Sequence, residues 1–147
     1  MTTTPFRRVL VGWDCSLDAA AALQTAASIA GDGAAHVVAL AVLDAAPHGE
    51  SSEDRARDRA ERRRYTERLF YEARESVPAA ARAQVRLQIV EDGDPARAVC
   101  DYAAEHGFDL LVLGRHGDGG VLHHRLGHVA EKAARAGKLP VLLLSER

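Results

Sequence analysis

Cysteine is scarce in this chain of 147 residues: there are two, Cys15 and Cys100. A small secreted domain stapled by disulfides uses more, so that class is excluded and a reducing compartment is expected. Neither cysteine lies in a CxxC pair. Long apolar runs are also missing, and none approaches the ~20 residues that cross a bilayer as a helix. The opening MTTTPFRR leads straight into VLVGW, which is strand-like and too short for a signal-peptide core. The expectation is an intracellular, cytoplasmic protein. An excess of one charge is lacking too. Lys and Arg number 19 against 21 Asp and Glu, a net charge of −2. Duplex nucleic-acid binders concentrate basic charge on one face, so nucleic acid is not expected as a partner.

What is present is ordinary for a soluble protein: 47% hydrophobic and 27% charged residues. The length suffices to bury one core. No repeat, linker or low-complexity tail interrupts it, so residues 1–147 read as a single domain.

The chain alternates two patterns. RVLVGW at 8–13 is a short apolar, β-rich run bounded by Asp14. Ser16 can cap the helix that follows, with Asp18 in its first turn. That helix, DAAAALQTAASIA, is rich in alanine and predicts close packing onto a sheet, with Gly31 as its stop. HVVALAVL at 36–43 is a second buried strand, and DAAPHGESS at 44–52 a loop. From Glu53 to Val77 charges recur at helical spacing, as in Glu53 with Arg57 and Asp58 with Arg62. Arg62, Arg63 and Arg64 sit among acidic residues there, which marks a solvated helix face rather than a nucleic-acid patch. QVRLQIV at 84–90 alternates polar and apolar, the mark of an edge or near-edge strand. Asp94 is an N-cap, Pro95 suits the first helical position, and Gly107 ends that helix. DLLVL at 109–113 is a fourth strand. A helix is expected over 128–136, closed by Gly137, and LPVLLL at 139–144 is the last strand. Strictly alternating β and α segments argue for a parallel sheet with helices on both faces, an α/β fold.

In such a sheet ligands bind beyond the carboxyl ends of the strands, where strand order reverses. Gly12, Trp13, Asp14 and Cys15 follow strand one, and Val42, Leu43 and Asp44 follow strand two. Strand four runs into a glycine loop, Gly114 to Gly127, ahead of the expected helix at His128. Glycines let backbone approach a ligand without a Cβ in the way. Helix N-termini offer unpaired N–H groups to anions. Arg115 can reach a phosphate, and Asp14 can accept hydrogen bonds from a ribose or an adenine amine. Cys15 reads as a small residue in a tight turn, and Trp13 either stacks on a base or is covered by packing.

These residues resemble the universal stress protein family, in its ATP-binding branch. The family motif is G-2x-G-9x-G followed by Ser or Thr. Gly114, Gly117 and Gly127 match the glycines and their spacing. Asp14 in VGWDCS, GDPARAV at the third helix and DLLVLGRHG at strand four also match, and the likeness runs from about Phe6 to Leu144. It implies a five-stranded sheet in the order 3-2-1-4-5, of the adenine nucleotide alpha-hydrolase-like kind. It implies an adenine nucleotide, ATP or else ADP or AMP, with or without magnesium. Gly12, Asp14 and the backbone near Val42 would hold adenine and ribose. Leu113, Gly114, Arg115, His116 and Gly117 would line ribose and phosphates. Gly127, His128 and Val129 would present helix N–H groups to the outer phosphates. It also implies a homodimer through Leu139–Leu144.

One departure stands out. His128 occupies the position of the Ser or Thr that would contact the terminal phosphate. It can still donate from a ring nitrogen, or crowd the site and favour a shorter nucleotide. The rival expectation is a nucleotide-free dimeric scaffold on the same fold, disabled by His128. His116, His123, His124 and His128 read as solvated loop histidines, not metal ligands, since no Cys or carboxylate accompanies them at ligand spacing. No GK[ST] loop, Ser/His/Asp set or carboxylate pair points to catalysis. No enzyme is expected, beyond slow and incidental hydrolysis of a bound ATP.

Overall fold

Five apolar segments form one parallel sheet in the order β3-β2-β1-β4-β5. The computed structural model describes residues 6–31, 35–43, 51–114, 121–137 and 139–144, and only the backbone of 121–128. The strands are β1 (Arg8–Gly12), β2 (His36–Leu43), β3 (Val85–Glu91), β4 (Leu110–Gly114) and β5 (Val141–Leu144). The helices are α1 (Leu17–Ala30), α2 (Ser52–Arg74), α3 (Ala79–Arg82), α4 (Pro95–Glu105) and α5 (Val121–Ala136). The architecture and strand order are those the sequence implied.

The sheet is covered on both faces because its central strands are apolar at every position beyond the opening Arg8 of β1 and His36 of β2. Val9, Val11, Val37, Ala39 and Val112 belong to the core shared with α1 and α2. Leu10, Leu40, Leu111 and Leu113 belong to the core shared with α4 and α5. Each leucine of that second set is at most 1% exposed, worth roughly 1.5–3 kcal/mol relative to leaving it in water. The alanines of α1 do what their size suggests. Ala19, Ala22, Ala26, Ala27 and Ala30 are all buried, so the helix backbone lies close on the sheet. β3 is an edge strand, and its alternating burial matches its alternating sequence.

Several boundaries differ from expectation. The short helix α3 follows α2 where none was expected. β5 begins at Val141, and Leu139 packs instead against the α4–α5 core. The largest difference is α5, which starts at Val121 rather than at His128. Leu122, Leu126, Val129 and Ala133 recur at spacings of four, three and four, a helical period that runs through Gly127. A helix tolerates one interior glycine at a cost of about 1 kcal/mol, so Gly127 does not break it.

Candidate functional site at the switch between the first and fourth strands

From β1 the chain proceeds outward to β2 and β3, then returns to build β4 and β5 on the other side. The carboxyl ends of β1 and β4 are therefore neighbours at the point where strand order reverses, the place at which open α/β sheets form their ligand crevice. Gly12 closes β1 and Gly114 closes β4, both buried.

Gly12 hands over to Trp13, whose N–H donates to the Leu40 carbonyl at 2.9 Å. The indole is 4% exposed and meets Phe70 of α2 edge to face, ring centroids 5.9 Å apart. Its Nε1–H points at the Thr66 carbonyl across 3.4 Å. Trp13 is thus packed under α2, and packing rather than base stacking accounts for it.

Asp14 follows, half-buried at the rim. Its Oδ1 accepts from the Ser16 N–H at 3.0 Å and from the Ser16 hydroxyl at 2.5 Å. Ser16 Oγ in turn accepts from the Ala19 N–H at 3.0 Å, capping α1. The cap of the helix therefore orients the carboxylate of the strand tip. Sequence reading gave Ser16 only the capping role. The Asp-x-Ser spacing, an Asx turn, was the available signal for the other. Between them Cys15 sits at φ 69°, the sole non-glycine residue with positive φ among the described residues. An L-residue there costs about 1–2 kcal/mol. The thiol is half-buried against the α1–α2 core.

Gly114 has a packing reason to be glycine. A Cβ there would lie 2.7 Å from Asp18 Cβ, 2.9 Å from the Asp18 carbonyl carbon and 3.0 Å from the Ala19 nitrogen. Real Cβ atoms do not approach so closely. The first turn of α1 is laid directly on the end of β4, and this contact, not a ligand's approach, is what excludes a side chain.

Of the remaining expected site residues, Val42 is half-buried near the end of β2, paired with Val90 and packed toward the α4–α5 core. Leu113 is 0% and Val129 1% exposed. Both side chains belong to that core, so only their backbone is left for a ligand. Arg115, His116 and Gly117 lie outside the described residues. Gly127, His128 and Val129 require a correction. They fall in the second and third turns of α5, not at its start. Within the helix the N–H groups without a partner four residues back are those of the first turn, Val121 to His123. A dipole-based anion site would sit there.

A second polar turn flanks the sheet at β3. Asp92 Oδ1 accepts from the Asp94 N–H at 2.9 Å, and Arg97 donates to both Asp92 oxygens at 2.9 and 3.2 Å. The Asp94 N–H and the Arg97 guanidinium hold the Asp92 carboxyl below the usual carboxylate range. Asp94 caps α4 through the Arg97 N–H, and Pro95 takes the first helical position, as expected. Among the described residues no three His, Cys, Asp or Glu side chains gather to hold a metal ion. No described helix is long and apolar enough to cross a membrane.

Comparison with known proteins agrees with this architecture. The sequence profile of the Universal stress protein family matches residues 5–145. Universal stress protein YxiE of Bacillus subtilis (strain 168) is 34% identical over 56 residues, covering 38% of this chain and 38% of that protein. A crystal structure of a universal stress family protein from Burkholderia pseudomallei superposes with a TM-score of 0.70 at 25% identity, over 97% of this chain and 98% of that one. A universal stress protein solved in complex with cAMP shares the fold, with a TM-score of 0.60 and 24% identity over 95% and 96% of the two chains. Profile and fold coincide over nearly the whole sequence, and the chain belongs to the universal stress protein family.

Proposed function

We propose that this protein binds an adenine nucleotide in the crevice between β1 and β4 and acts as a homodimeric, cytoplasmic regulator rather than as an enzyme. One observation carries the reading: Asp14 stands half-buried at the end of β1, its carboxylate held by two hydrogen bonds from Ser16, across from Gly114 at the end of β4. That is an oriented acceptor at the switch point, suited to a ribose hydroxyl or an adenine amine. Support comes from the family membership and from the neighbouring fold solved with cAMP. The main chain near Val42 and Gly114 would line the base and ribose. Arg115, His116 and Gly117 and the first turn of α5 would face the phosphates. Dimerisation through β5 is supported by Leu143, a leucine 48% exposed on an edge strand.

Calorimetric titration with ATP, ADP, AMP and cAMP tests the reading. At least one should bind saturably, and no heat from any of them at millimolar concentration would overturn it. Leu143→Lys should turn the dimer into a monomer in analytical ultracentrifugation without lowering the melting temperature of the fold. A dimer that survives would place the interface elsewhere.

The nucleotide-free scaffold draws on a separate observation. With α5 beginning at Val121, the N–H groups of Gly127 and His128 are interior to the helix. On that reading the wild type shows no thermal shift with nucleotide, and His128→Ser, which leaves those N–H groups inside the helix, creates none; binding gained in His128→Ser would instead make the histidine side chain the disabling element.

A further inference from the structure

The outward side of α2 carries charges that its own chain leaves unanswered. Arg57, Glu61, Arg64, Tyr65, Arg68 and Glu72 are all exposed, and at about 3.6 residues per turn they share one side of the helix. The flanks of the same helix are different. There Asp58 pairs with Arg62 and Arg63 with Glu67, each four residues apart. On the outward side Arg57 keeps one exposed pair, to Asp54 at 3.3 Å. Glu61, Arg64, Arg68 and Glu72 form no ion pair among the described residues. Arg64 and Arg68 are like charges one turn apart, which weakens the helix that bears them. Tyr65 and Tyr71 stand beside them, 48% and 56% exposed, and the Arg68 guanidinium lies over the Tyr65 ring at 5.6 Å. Both rings line one open groove with Glu61, Arg64 and Arg68.

The order of these residues is self-complementary. From Arg57 to Glu72 the spacings are four, three, one, three and four, the same from either end. The charges are opposite from either end: Arg57 mirrors Glu72, and Glu61 mirrors Arg68. A two-fold axis beside Arg64 and Tyr65 lays a second α2 antiparallel on the first. Each contact then occurs twice. Arg57 of each copy faces Glu72 of the other, and Glu61 faces Arg68. Arg64 meets the Tyr65 ring of the other copy, a cation–π arrangement. A parallel pairing in register would set like charge on like charge.

We infer that this side of α2 is a docking surface for the α2 of a second copy of the chain, antiparallel and centred on Arg64 and Tyr65. α2 packs on β2 and β3, at the sheet edge away from β5. The contact is therefore separate from pairing through β5, and it needs no nucleotide. Built on exposed ion pairs and few apolar groups, it belongs to the weak, transient class.

Sedimentation velocity of the full chain in low salt, from micromolar to millimolar protein, tests it. The wild type should show one concentration-dependent association step. That step is monomer to dimer if β5 does not pair, and dimer to a larger assembly if it does. Glu61→Arg and Arg68→Glu should each weaken the step by about tenfold, since each sets like charges together at both symmetry-related contacts. Mixed in equal amounts, the two variants should associate with each other as the wild type does with itself, and the double variant Glu61→Arg, Arg68→Glu should recover self-association. Molar salt should weaken the step, because charges are then screened within about 3 Å. Leu143→Lys should leave it in place. The inference is overturned by a wild type without such a step, by single variants that leave it untouched, or by a mixed pair that does not associate. Loss of the step in Leu143→Lys would assign it to β5 and overturn the inference as well.

Discussion

At the carboxyl end of β1, Asp14-Cys15-Ser16 leads into α1. At the carboxyl end of β3, Asp92-Gly93-Asp94 leads into α4. The two corners share one device: the first aspartate accepts the N–H two residues on, and the third residue caps the helix. They differ in what meets the first carboxylate and in the residue between. Asp92 is gripped by Arg97 from inside its own turn. Asp14 receives neutral donors from Ser16 and stands beside the end of β4. The middle residues invert the usual preference, since Cys15 takes positive φ and Gly93 does not. The same turn is closed by its own arginine in one place and set at the mouth of a crevice in the other. Position in the topology, not the local motif, gives the first corner its candidate function.

The largest expected contrast is in ligand affinity. Asp14→Ala should weaken nucleotide binding by about tenfold or more, since hydrogen bonds to a charged group are worth about 1.5–3 kcal/mol. Asp92→Ala should leave it within about twofold, as expected of a half-buried carboxylate paired inside its own turn and away from the ligand. Equal losses in calorimetry would mean that the two corners are not functionally distinct. Next come the glycines. Gly114→Ala should lower stability by about 1–3 kcal/mol through overpacking on α1. Gly93→Ala has nothing within 4 Å and no positive φ to oppose it, and should be neutral or gain up to about 1 kcal/mol. Urea denaturation of both variants checks the pair.

A smaller effect is expected at the strained residue. Cys15→Gly relieves about 1–2 kcal/mol of left-handed strain and adds unfolded-state entropy worth about half of that. A net gain of up to about 1 kcal/mol should appear, and a loss would show that the cysteine side chain contributes more than its backbone costs. The smallest effect is the pH dependence at Asp92. Its folded pKa lies below the unfolded 3.8, so its contribution is present above that value and is lost as pH falls through the folded pKa. The melting-temperature gap between wild type and Asp92→Asn should be constant from pH 7 to 5 and shrink as pH falls below 3.8. A gap that persists at pH 2 would assign the effect to something other than charge.

Much of the fold was legible because burial on both faces leaves a plain trace. Continuous apolar runs, an alanine-rich first helix and an alternating third strand correspond to central strands, a closely laid helix and an edge. Less of the site was legible. Glycine signals that a Cβ is forbidden, not what forbids it. At Gly114 the intruder is the first turn of α1, a segment about a hundred residues away in sequence. Trp13 similarly left two readings open, stacking on a base or packing, and only the placement of α2 showed it to be covered. The start of α5 was misplaced because Gly127 was weighted as a break, while the apolar period around it carried the helix back to Val121.

The alternation of strands and helices and the caps at Ser16 and Asp94 were written in the chain itself, because each depends on neighbours within a few residues, and the glycine spacing of the family motif can be read along the chain without its fold. Only the packed fold settled which glycine serves packing, which aromatic is buried and where the last helix starts. Those depend on contacts between segments far apart in the chain, whose approach is fixed by how the sheet is wound rather than by any local preference.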